Sequence, residues 1–172
     1  PSAPFDRADF YNNCGKIANW SGNEQILGDM SSLDDLKTTS AEVRNALINV
    51  YTNWIKWTGI DGFRVDTVKH VEENFWDVFC PAIRTNSFAI NSNKKFMQFG
   101  EVYETTHEAM KIFSDSERLD SLLNFEFYSK CSSVFKNGGA TNILTSELVN
   151  RKTKLRSVVT TNGAGIDAIS GA

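Results

Sequence analysis

Apolar residues recur at helical spacing in one long stretch near the first third of the chain. They are three or four positions apart and share one helical face: Val43, Ala46, Leu47, Val50, Tyr51, Trp54 and Ile55. Thr39 and Glu42 form a capping box before this stretch, and Gly59 stands where a helix should end. The pattern therefore predicts a helix over 41–57.

Short apolar runs alternate with further helical patterns after Gly59. The runs predict three strands, over 60–66, 95–101 and 119–127. Helical patterns predict helices over 72–80, bent or restarted at Pro81, then near 105–114 and over 129–154. A polar stretch predicts a loop over 86–93. Strands alternating with helices at this spacing indicate right-handed βαβ units and an α/β fold with a parallel sheet.

Three segments differ in pattern. Residues 1–38 lack periodicity and are rich in Asn, Gly, Ser and Asp, which indicates a long loop or a small irregular subdomain. Residues 39–156 carry the alternating elements, and residues 157–172 form a loop-like tail that precedes a missing strand. Three strands cannot close an eight-stranded β/α barrel, so we expect part of a larger protein.

Composition narrows the class of protein. The chain has 172 residues, of which 41% are hydrophobic, enough to close a core in which we expect Trp54 and Trp57 to pack. Its formal charge of −3 comes without a basic run, which argues against a nucleic-acid partner. No apolar run is long enough to cross a bilayer, so we expect no membrane span. The first residues lack a signal-peptide pattern.

Two predicted strands end in carboxylates. Side chains alternate along a strand, so Arg64 and Asp66 share a face and can touch, whereas Asp61 lies at the other end on the opposite face. A neighbouring arginine keeps a carboxylate ionised, as a nucleophile requires. Glu101 follows Gly100 at the end of the next strand, where partial burial and a nearby negative charge would raise its pKa, as a proton donor requires.

The spacing of these carboxylates suits one reaction class. Adjacent strands lie about 4.8 Å apart, and retaining glycosidases place their two carboxyl groups about 5 to 5.5 Å apart. The pattern thus indicates an enzyme that cleaves glycosidic bonds. The alternative is that Arg64 and Asp66 form an ion pair with a purely structural role, which would explain these two residues and so half of the pattern.

These residues carry a family resemblance. Gly62-Phe-Arg-Val-Asp-Thr-Val-Lys-His70 resembles the fourth-strand motif of the α-amylase superfamily of glycoside hydrolases, and Phe99-Gly-Glu-Val102 resembles its fifth-strand motif. Leu33-Asp-Asp-Leu36 is similar to the segment before the third helix of that family, and Asn124-Phe-Glu-Phe127 to the end of its sixth strand. Together these segments span the chain from about 28 to 128.

The resemblance implies a partial (β/α)8 barrel covering strands four to six, preceded by part of an irregular inserted domain. It implies a retaining hydrolase or transglycosylase that acts on α-linked glucans. By carry-over, Asp66 would be the nucleophile, Glu101 the acid/base, and Arg64 the residue that fixes the nucleophile. Lys69 and His70 would line the sugar subsites on the leaving-group side.

The resemblance also implies calcium, with the Asp35 carboxylate and the backbone carbonyl of His70 as ligands. An oxygen-rich set of this kind suits calcium better than zinc. Asp34 and Lys37 depart from the residues more usual in that segment. The third-strand and seventh-strand motifs of the family, including its third catalytic carboxylate, are absent from the sequence. We therefore expect the remaining part of the same barrel as a partner, and the resemblance favours a secreted protein.

Five other residues receive weaker assignments. We expect a solvated side chain at His107, a rim position for Glu104, a possible cleft position for Glu126, and packing rather than sugar stacking for Phe99 and Tyr103. One rival function is a catalytically inactive amylase-like binding or assembly subunit. It gives no reason for Arg64, Asp66 and Glu101 to occur together. A third class, a phosphate-binding α/β domain, lacks its Gly-rich loop.

Overall fold

A parallel sheet forms the centre of the fold in a computed structural model that describes residues 2–114, 117–154 and 169–170. Its strands are β1 (Gly62–Val65), β2 (Met97–Gly100), β3 (Ser121–Leu123) and β4 (Ile169–Ser170). They are neighbours in the order β1-β2-β3-β4, and each neighbouring pair is parallel. The α/β class and the parallel sheet are therefore confirmed. The fourth strand, two residues long, was not predicted.

Six α-helices accompany the sheet in the part of the chain that the structure describes. They are α1 (Glu24–Leu27), α2 (Ala41–Thr58), α3 (Glu73–Ile90), α4 (His107–Lys111), α5 (Phe125–Cys131) and α6 (Asn142–Lys154). Short 3-10 turns span Ala8–Phe10 and Val68–His70, and a π turn spans Ser132–Lys136. None of the helices in the described part of the chain is both long and apolar enough to cross a membrane.

The helix predicted over 41–57 is confirmed as α2 and begins at Ala41 as predicted, but the predicted capping box of Thr39 and Glu42 is wrong. Ser40 is the N-cap residue and makes no side-chain cap bond, and the Glu42 carboxylate pairs with Arg7 instead of closing a capping box. The end is as expected. Gly59 adopts a left-handed conformation, with φ of 66°, and donates its N–H to the carbonyl of Ile55 at 2.8 Å.

Helix α3 corrects two predictions. Pro81 lies inside one uninterrupted helix, which continues to Ile90 through half of the predicted 86–93 loop. The buried residues Ile83, Arg84 and Ser87 fall one and four positions apart, so the second half of the helix presents a continuous face to the core. Packing of that face overrides both the proline and the polar local composition.

The third predicted strand is too long. β3 ends at Leu123, and Asn124 then accepts a hydrogen bond from the backbone N–H of Phe127 at 2.9 Å, which starts α5. Asparagine at an N-cap position supplies this bond readily, but the apolar residues around Asn124 led to the prediction of a longer strand. The predicted helix over 129–154 is interrupted between the π turn and α6, where Gly138 has a φ of 69°. Most of the predicted 157–172 tail lies outside the described residues.

One apolar cluster joins α3 to the sheet. Its buried aromatic residues are Phe75, Trp76, Phe79, Phe96 and Phe113. At the start of β3, the buried Arg84 side chain contacts Asp120 at 3.5 Å and the carbonyl of Arg118 at 2.8 Å, which fixes α3 to that end of the sheet. Because these contacts lie at the amino end of β3, the carboxyl ends of the strands remain available for other side chains.

The two tryptophans of α2 lie outside this core. Trp54 is 51% exposed and Trp57 is 71% exposed, so the prediction that they pack in the core is wrong. Their rings contact each other at 5.8 Å. Thr52, which bonds Asn86 of α3 at 3.0 Å, lies on the opposite side of the helix from both rings. The exposed pair therefore marks the flank of α2 that faces away from α3.

Residues 2–38 form no long element. Three isolated bridges connect them internally: Tyr11 with Leu36, Lys16 with Asp29, and Met30 with Leu33. This agrees with the absence of periodicity there. The division into an inserted domain and a barrel portion stays a prediction.

Candidate active site

Three charged side chains meet at the carboxyl ends of β1 and β2. The Arg64 guanidinium lies 3.4 Å from the Asp66 carboxylate and 2.8 Å from the Glu101 carboxylate. Alternation along β1 places Arg64 and Asp66 on one face, as the sequence predicted. The contact to Glu101 is the shorter one, so Arg64 bridges both acids instead of serving Asp66 alone.

The register of the sheet brings Glu101 to this point. Val65 pairs with Gly100, and the N–H of Glu101 donates to the carbonyl of Val65 at 2.7 Å. A Cβ atom at Gly100 would lie 2.4 Å from the Leu119 side chain and 2.7 Å from that of Val68. A side chain at position 100 would therefore displace the buried Leu119 and Val68 side chains that pack over this glycine.

The two carboxyl groups have opposite electrostatic states. A hydrogen bond with Glu101 lowers the pKa of Asp66, and the Arg64 charge and the Thr67 N–H lower it further, against a desolvation cost. The same hydrogen bond, followed by desolvation, raises the pKa of Glu101 despite the nearby Arg64. Glu101 thus acts as the proton donor in the pair and Asp66 as the acceptor. Asp66 therefore loses its proton at a lower pH than Glu101 does.

Lys69 and His70 follow on the short turn after Asp66. The Lys69 ammonium donates to the Glu104 carboxylate and to the carbonyl of Tyr103, both at 2.8 Å. The His70 ring bonds the carbonyl of Gln25 in α1 at 2.9 Å. Its face meets the exposed Trp20 ring edge-to-face at 5.6 Å. Sequence reasoning missed Trp20 and Gln25, because they lie in the aperiodic first segment and carry no motif.

Asp35 lies in a partly buried acidic region. Burial, together with the charges of Glu72 and Asp29, raises the pKa of its carboxyl group to about 6, against a lowering hydrogen bond from Asn12. That bond is 2.6 Å long. Among the residues that the structure describes, no three His, Cys, Asp or Glu side chains are grouped to hold a metal ion. The oxygen donors and the concentrated negative charge around Asp35 nevertheless suit the chemistry of a calcium ligand.

A cleft of about 440 Å³ connects these two regions. Asp34, Asp35, Arg64 and Asp66 supply its charged lining, and Tyr51, Phe63, Phe75 and Trp76 are among the apolar side chains that line it. A smaller hollow of about 300 Å³ lies beyond Tyr103, whose ring is exposed and contacts Phe125 at 5.0 Å. Apolar and aromatic walls around a few charged groups are typical of small-molecule sites.

The structure contradicts the solvated position expected for His107 and does not bear out the cleft alternative for Glu126. His107 is buried, not solvated: its ring nitrogens lie 3.1 Å from the Glu126 carboxylate and 3.2 Å from that of Glu147. Glu126 also accepts the backbone N–H of His107 at 2.8 Å, so it belongs to this cluster and does not line the cleft that holds Asp66. Glu147 lies on α6, too far along the chain for a local pattern to reveal the pairing.

Comparison with known proteins supplies the family context. The family described as the catalytic domain of alpha amylase matches residues 2–166. An alpha-amylase of Streptomyces lividans is 34% identical over 137 residues, which are 79% of this chain and 15% of that protein. A beta/alpha-amylase of Paenibacillus polymyxa is 37% identical over 143 residues, or 77% of this chain and 10% of that protein.

A solved structure is similar in fold as well. The crystal structure of an alpha-amylase from Anoxybacillus superposes with a TM-score of 0.73 at 29% identity. The superposition covers 86% of this chain and 32% of that one. The chain therefore spans 15% or less of the length of these two curated relatives, and about a third of that solved chain.

Proposed function

This chain belongs to the α-amylase family of catalytic domains, and from that premise we propose that the intact protein is a glycoside hydrolase or transglycosylase acting on α-linked glucans with retention of configuration. The observation that carries the proposal is the meeting of Asp66 and Glu101 at one arginine, with Arg64 3.4 Å from the first and 2.8 Å from the second. The lowered pKa of Asp66 and the raised pKa of Glu101 agree with it. Retaining glycosidases need one anion and one acid placed in this way.

Each of the two acids has one role in the proposed reaction. The Asp66 carboxylate attacks the anomeric carbon while Glu101 gives its proton to the leaving oxygen, so the glycosidic bond breaks as the bond to Asp66 forms. Glu101, now an anion, then takes a proton from water or from a sugar hydroxyl, and that oxygen displaces Asp66. The Arg64 guanidinium, within 3.4 Å of both acids, holds their positions.

Two neighbouring residues are proposed to contact the departing sugar. Lys69 and His70 follow Asp66 on the same turn, and Lys69 is already linked to the segment after Glu101 through Tyr103 and Glu104. This placement supports a role on the leaving-group side of the scissile bond. The substrate class comes from the family, and an extracellular location is proposed on the same ground.

Calcium is proposed as a structural ion. The Asp35 carboxylate and the backbone carbonyl of His70 would be two of its oxygen ligands, and bound calcium would neutralise the acidic region around Asp35. A cation that binds only the folded protein stabilises it by mass action. Chelation should therefore lower the Tm of the intact protein, and an unchanged Tm would contradict the calcium assignment.

The decisive experiment separates the two carboxyl roles in the intact protein. Asp66→Asn removes the nucleophile, so activity on starch-type oligosaccharides and on glycosyl fluorides should both fall by several orders of magnitude. Glu101→Gln removes only the proton donor, so a glycosyl fluoride should still form the covalent intermediate. Azide should then restore turnover of the Glu101→Gln variant and give a product of retained configuration, because azide needs no general base.

Asp61→Asn is the matched control. It makes the same change at the other end of β1, where the exposed Asp61 contributes only its backbone carbonyl to the ladder. Near-normal activity is expected for it. Near-normal activity in Asp66→Asn or Glu101→Gln would overturn the proposed roles of these two carboxyl groups. No glycosidase activity in the unmodified intact protein would instead favour the inactive binding subunit.

A further inference from the structure

The residue that follows Asp66 has an unusual backbone conformation. Thr67 lies in the left-handed region, with φ of 50° and ψ of 37°. This region is uncommon for any residue with a Cβ atom and most unfavourable for a β-branched one, because Cβ crowds the following carbonyl. Such conformations persist only where the surroundings hold both neighbours in place, and they cluster at functional sites.

The left-handed residue interrupts the hydrogen-bond ladder between β1 and β2. In a regular parallel pair, Glu101 would donate to the carbonyl of Val65 and accept from the N–H two residues later, that of Thr67. The first bond is present at 2.7 Å, but the carbonyl of Glu101 accepts from Val68 at 3.0 Å instead. One extra residue therefore lies in the chain directly after β1, opposite Glu101, as in a β-bulge at the end of a strand.

The bulge changes the partner of the Thr67 N–H. Released from the ladder, this N–H donates to the Asp66 carboxylate, where it lowers the pKa of that group after the hydrogen bond with Glu101 and the charge of Arg64. Bulges of this kind re-aim a side chain at the end of a strand. Here the re-aimed side chain is the Asp66 carboxylate, which meets Glu101.

Val68 holds the bulge in place through three contacts. Its N–H bonds the carbonyl of Glu101, its carbonyl accepts the indole N–H of Trp76 at 3.2 Å, and its fully buried side chain packs over Gly100. Because Asp66 is fixed by β1 on one side and Val68 by the core on the other, Thr67 has no room to relax.

We propose that Thr67 is a positioning residue, whose left-handed bulge turns the Asp66 carboxylate toward Glu101 and supplies it with a backbone N–H. This inference rests on the proposed function, in which Asp66 is the nucleophile. The other charged groups around Asp66 are Arg64 and Glu101, with Asp34 and Asp35 lining the same cleft.

A substitution series at Thr67 in the intact protein tests the backbone requirement. Glycine and asparagine accept a positive φ and keep the N–H, so Thr67→Gly and Thr67→Asn should lose less than about threefold in kcat. Proline holds φ near −65° and has no N–H, so Thr67→Pro should lose about a hundredfold in kcat, the scale expected for a misplaced reacting group.

The pH profile distinguishes positioning from general damage. Loss of an N–H that lowers the pKa of Asp66 raises that pKa, so the acidic limb of kcat/KM should move to higher pH by about one unit in Thr67→Pro. Ser92→Pro is the matched control. Ser92 has a φ of 55° but lies in the loop before β2, at the other end of the sheet, so the acidic limb should stay in place even if Tm falls.

Three outcomes would overturn the inference. Equal pH profiles of kcat/KM for Thr67→Pro and Thr67→Gly would show that neither the bulge nor the Thr67 N–H affects Asp66. An equally large loss in Thr67→Gly would show that the side chain is required instead. If Thr67→Pro does not fold, Trp76→Phe replaces it as the test variant, because it removes the indole N–H that bonds the Val68 carbonyl. A pH profile of kcat/KM identical to that of the unmodified protein would then overturn the inference.

The same assay separates this inference from the proposed function. If Asp66→Asn is inactive and all Thr67 variants have the same kcat and pH profile, only the positioning role of Thr67 fails. If Asp66→Asn is active, the nucleophile assignment fails, and the role of Thr67 fails with it.

Discussion

Arg64 is the residue on which the electrostatics of the site converge. Its charge lowers the pKa of both Asp66 and Glu101, yet the hydrogen bond between the two acids outweighs it at Glu101. The guanidinium therefore shifts both groups in one direction, while the contact between the acids separates them. These two effects can be measured independently.

Replacement of Arg64 should move the whole pH profile of activity. In Arg64→Gln the pKa values of Asp66 and Glu101 both rise, so the acidic and basic limbs of kcat/KM should both shift to higher pH, by about one unit. kcat should also fall, because the two acids lose a common anchor. Arg7→Gln, far along the chain, is the control and should leave both limbs in place. A shift of the acidic limb alone would show that Arg64 serves only Asp66.

Asp35 gives a second prediction at the residue scale, in calcium-free protein. Its folded-state pKa of about 6 lies above its ordinary value of 3.8, so the folded state binds more protons between those values. The free energy of unfolding should therefore fall by about 1 kcal/mol as pH rises from 4 to 7, after allowance for solvent screening. Asp35→Asn should remove this slope, and Asp34→Asn, one position earlier and exposed, should not.

Calcium should reverse the effect of the Asp35→Asn substitution. Without calcium, the variant should be the more stable protein at pH 7, because a half-buried charge is gone. With calcium, it should be the less stable one, because a ligand is gone. Urea unfolding with and without a chelator measures both differences. If the difference in the free energy of unfolding between the variant and the unmodified protein has the same sign with and without calcium, Asp35 is not a calcium ligand.

At the scale of elements, the periodicity of apolar residues predicted the helices and strands that are set by the local sequence. Helix α2 and the sites of β1 and β2 follow from the spacing of apolar residues, and the shared face of Arg64 and Asp66 follows from strand alternation. The continuation of α3 past Pro81, and the start of α5 at Asn124, depended on tertiary packing and on one side-chain cap. The bulge at Thr67 has no local signal, since threonine is a poor choice for a positive φ.

The pairing of His107 with Glu147 is the clearest case of long-range structure that local sequence could not reveal. It joins α4 to α6, and Glu126 joins α5 to the same imidazole. Both carboxylate oxygens of Glu147 are buried and have no hydrogen-bond partner among the described residues, and the His107 ring lies 3.2 Å from one of them. The three helices thus share one buried polar node.

Removal of that node should destabilise the helices around it. His107→Ala leaves Glu147 buried without its neighbour, and the free energy of unfolding should fall by about 3 kcal/mol in the intact protein. The double variant His107→Leu with Glu147→Leu should recover part of the loss, because apolar groups need no partner. Thermal unfolding of both variants provides the measurement. A double variant less stable than His107→Ala would mean that the polar contacts are themselves stabilising.

At the scale of the whole molecule, the described sheet is open. β1 has β2 as its neighbour and no strand on its other side among the residues that the structure describes. Parallel sheets are normally covered on both faces, and in a closed barrel every strand is paired on both edges. The exposed tryptophans of α2 lie on the flank away from α3, where a further barrel helix would pack. Both features are what a partial (β/α)8 barrel should show.

These 172 residues alone should therefore fail to unfold as one cooperative unit. An uncovered sheet edge and the apolar flank of α2 favour association over a single folded state. Urea titration followed by tryptophan fluorescence should give a broad, concentration-dependent change. A sharp transition, with well-dispersed amide signals in NMR spectra, would contradict this.

Substitution of the exposed flank should act in opposite directions in the two contexts. In the isolated chain, Trp54→Lys with Trp57→Lys should reduce association, because it removes the apolar surface that drives it. In the intact protein, the same change should lower Tm, because that flank would then be covered by the neighbouring helix and lysine would be buried there. Phe135→Lys is the control, since Phe135 is 77% exposed and lies on the π turn, remote from α2. An unchanged Tm in the intact double variant would mean that the flank of α2 stays open to solvent, and the position of the chain within a closed barrel would have to be revised.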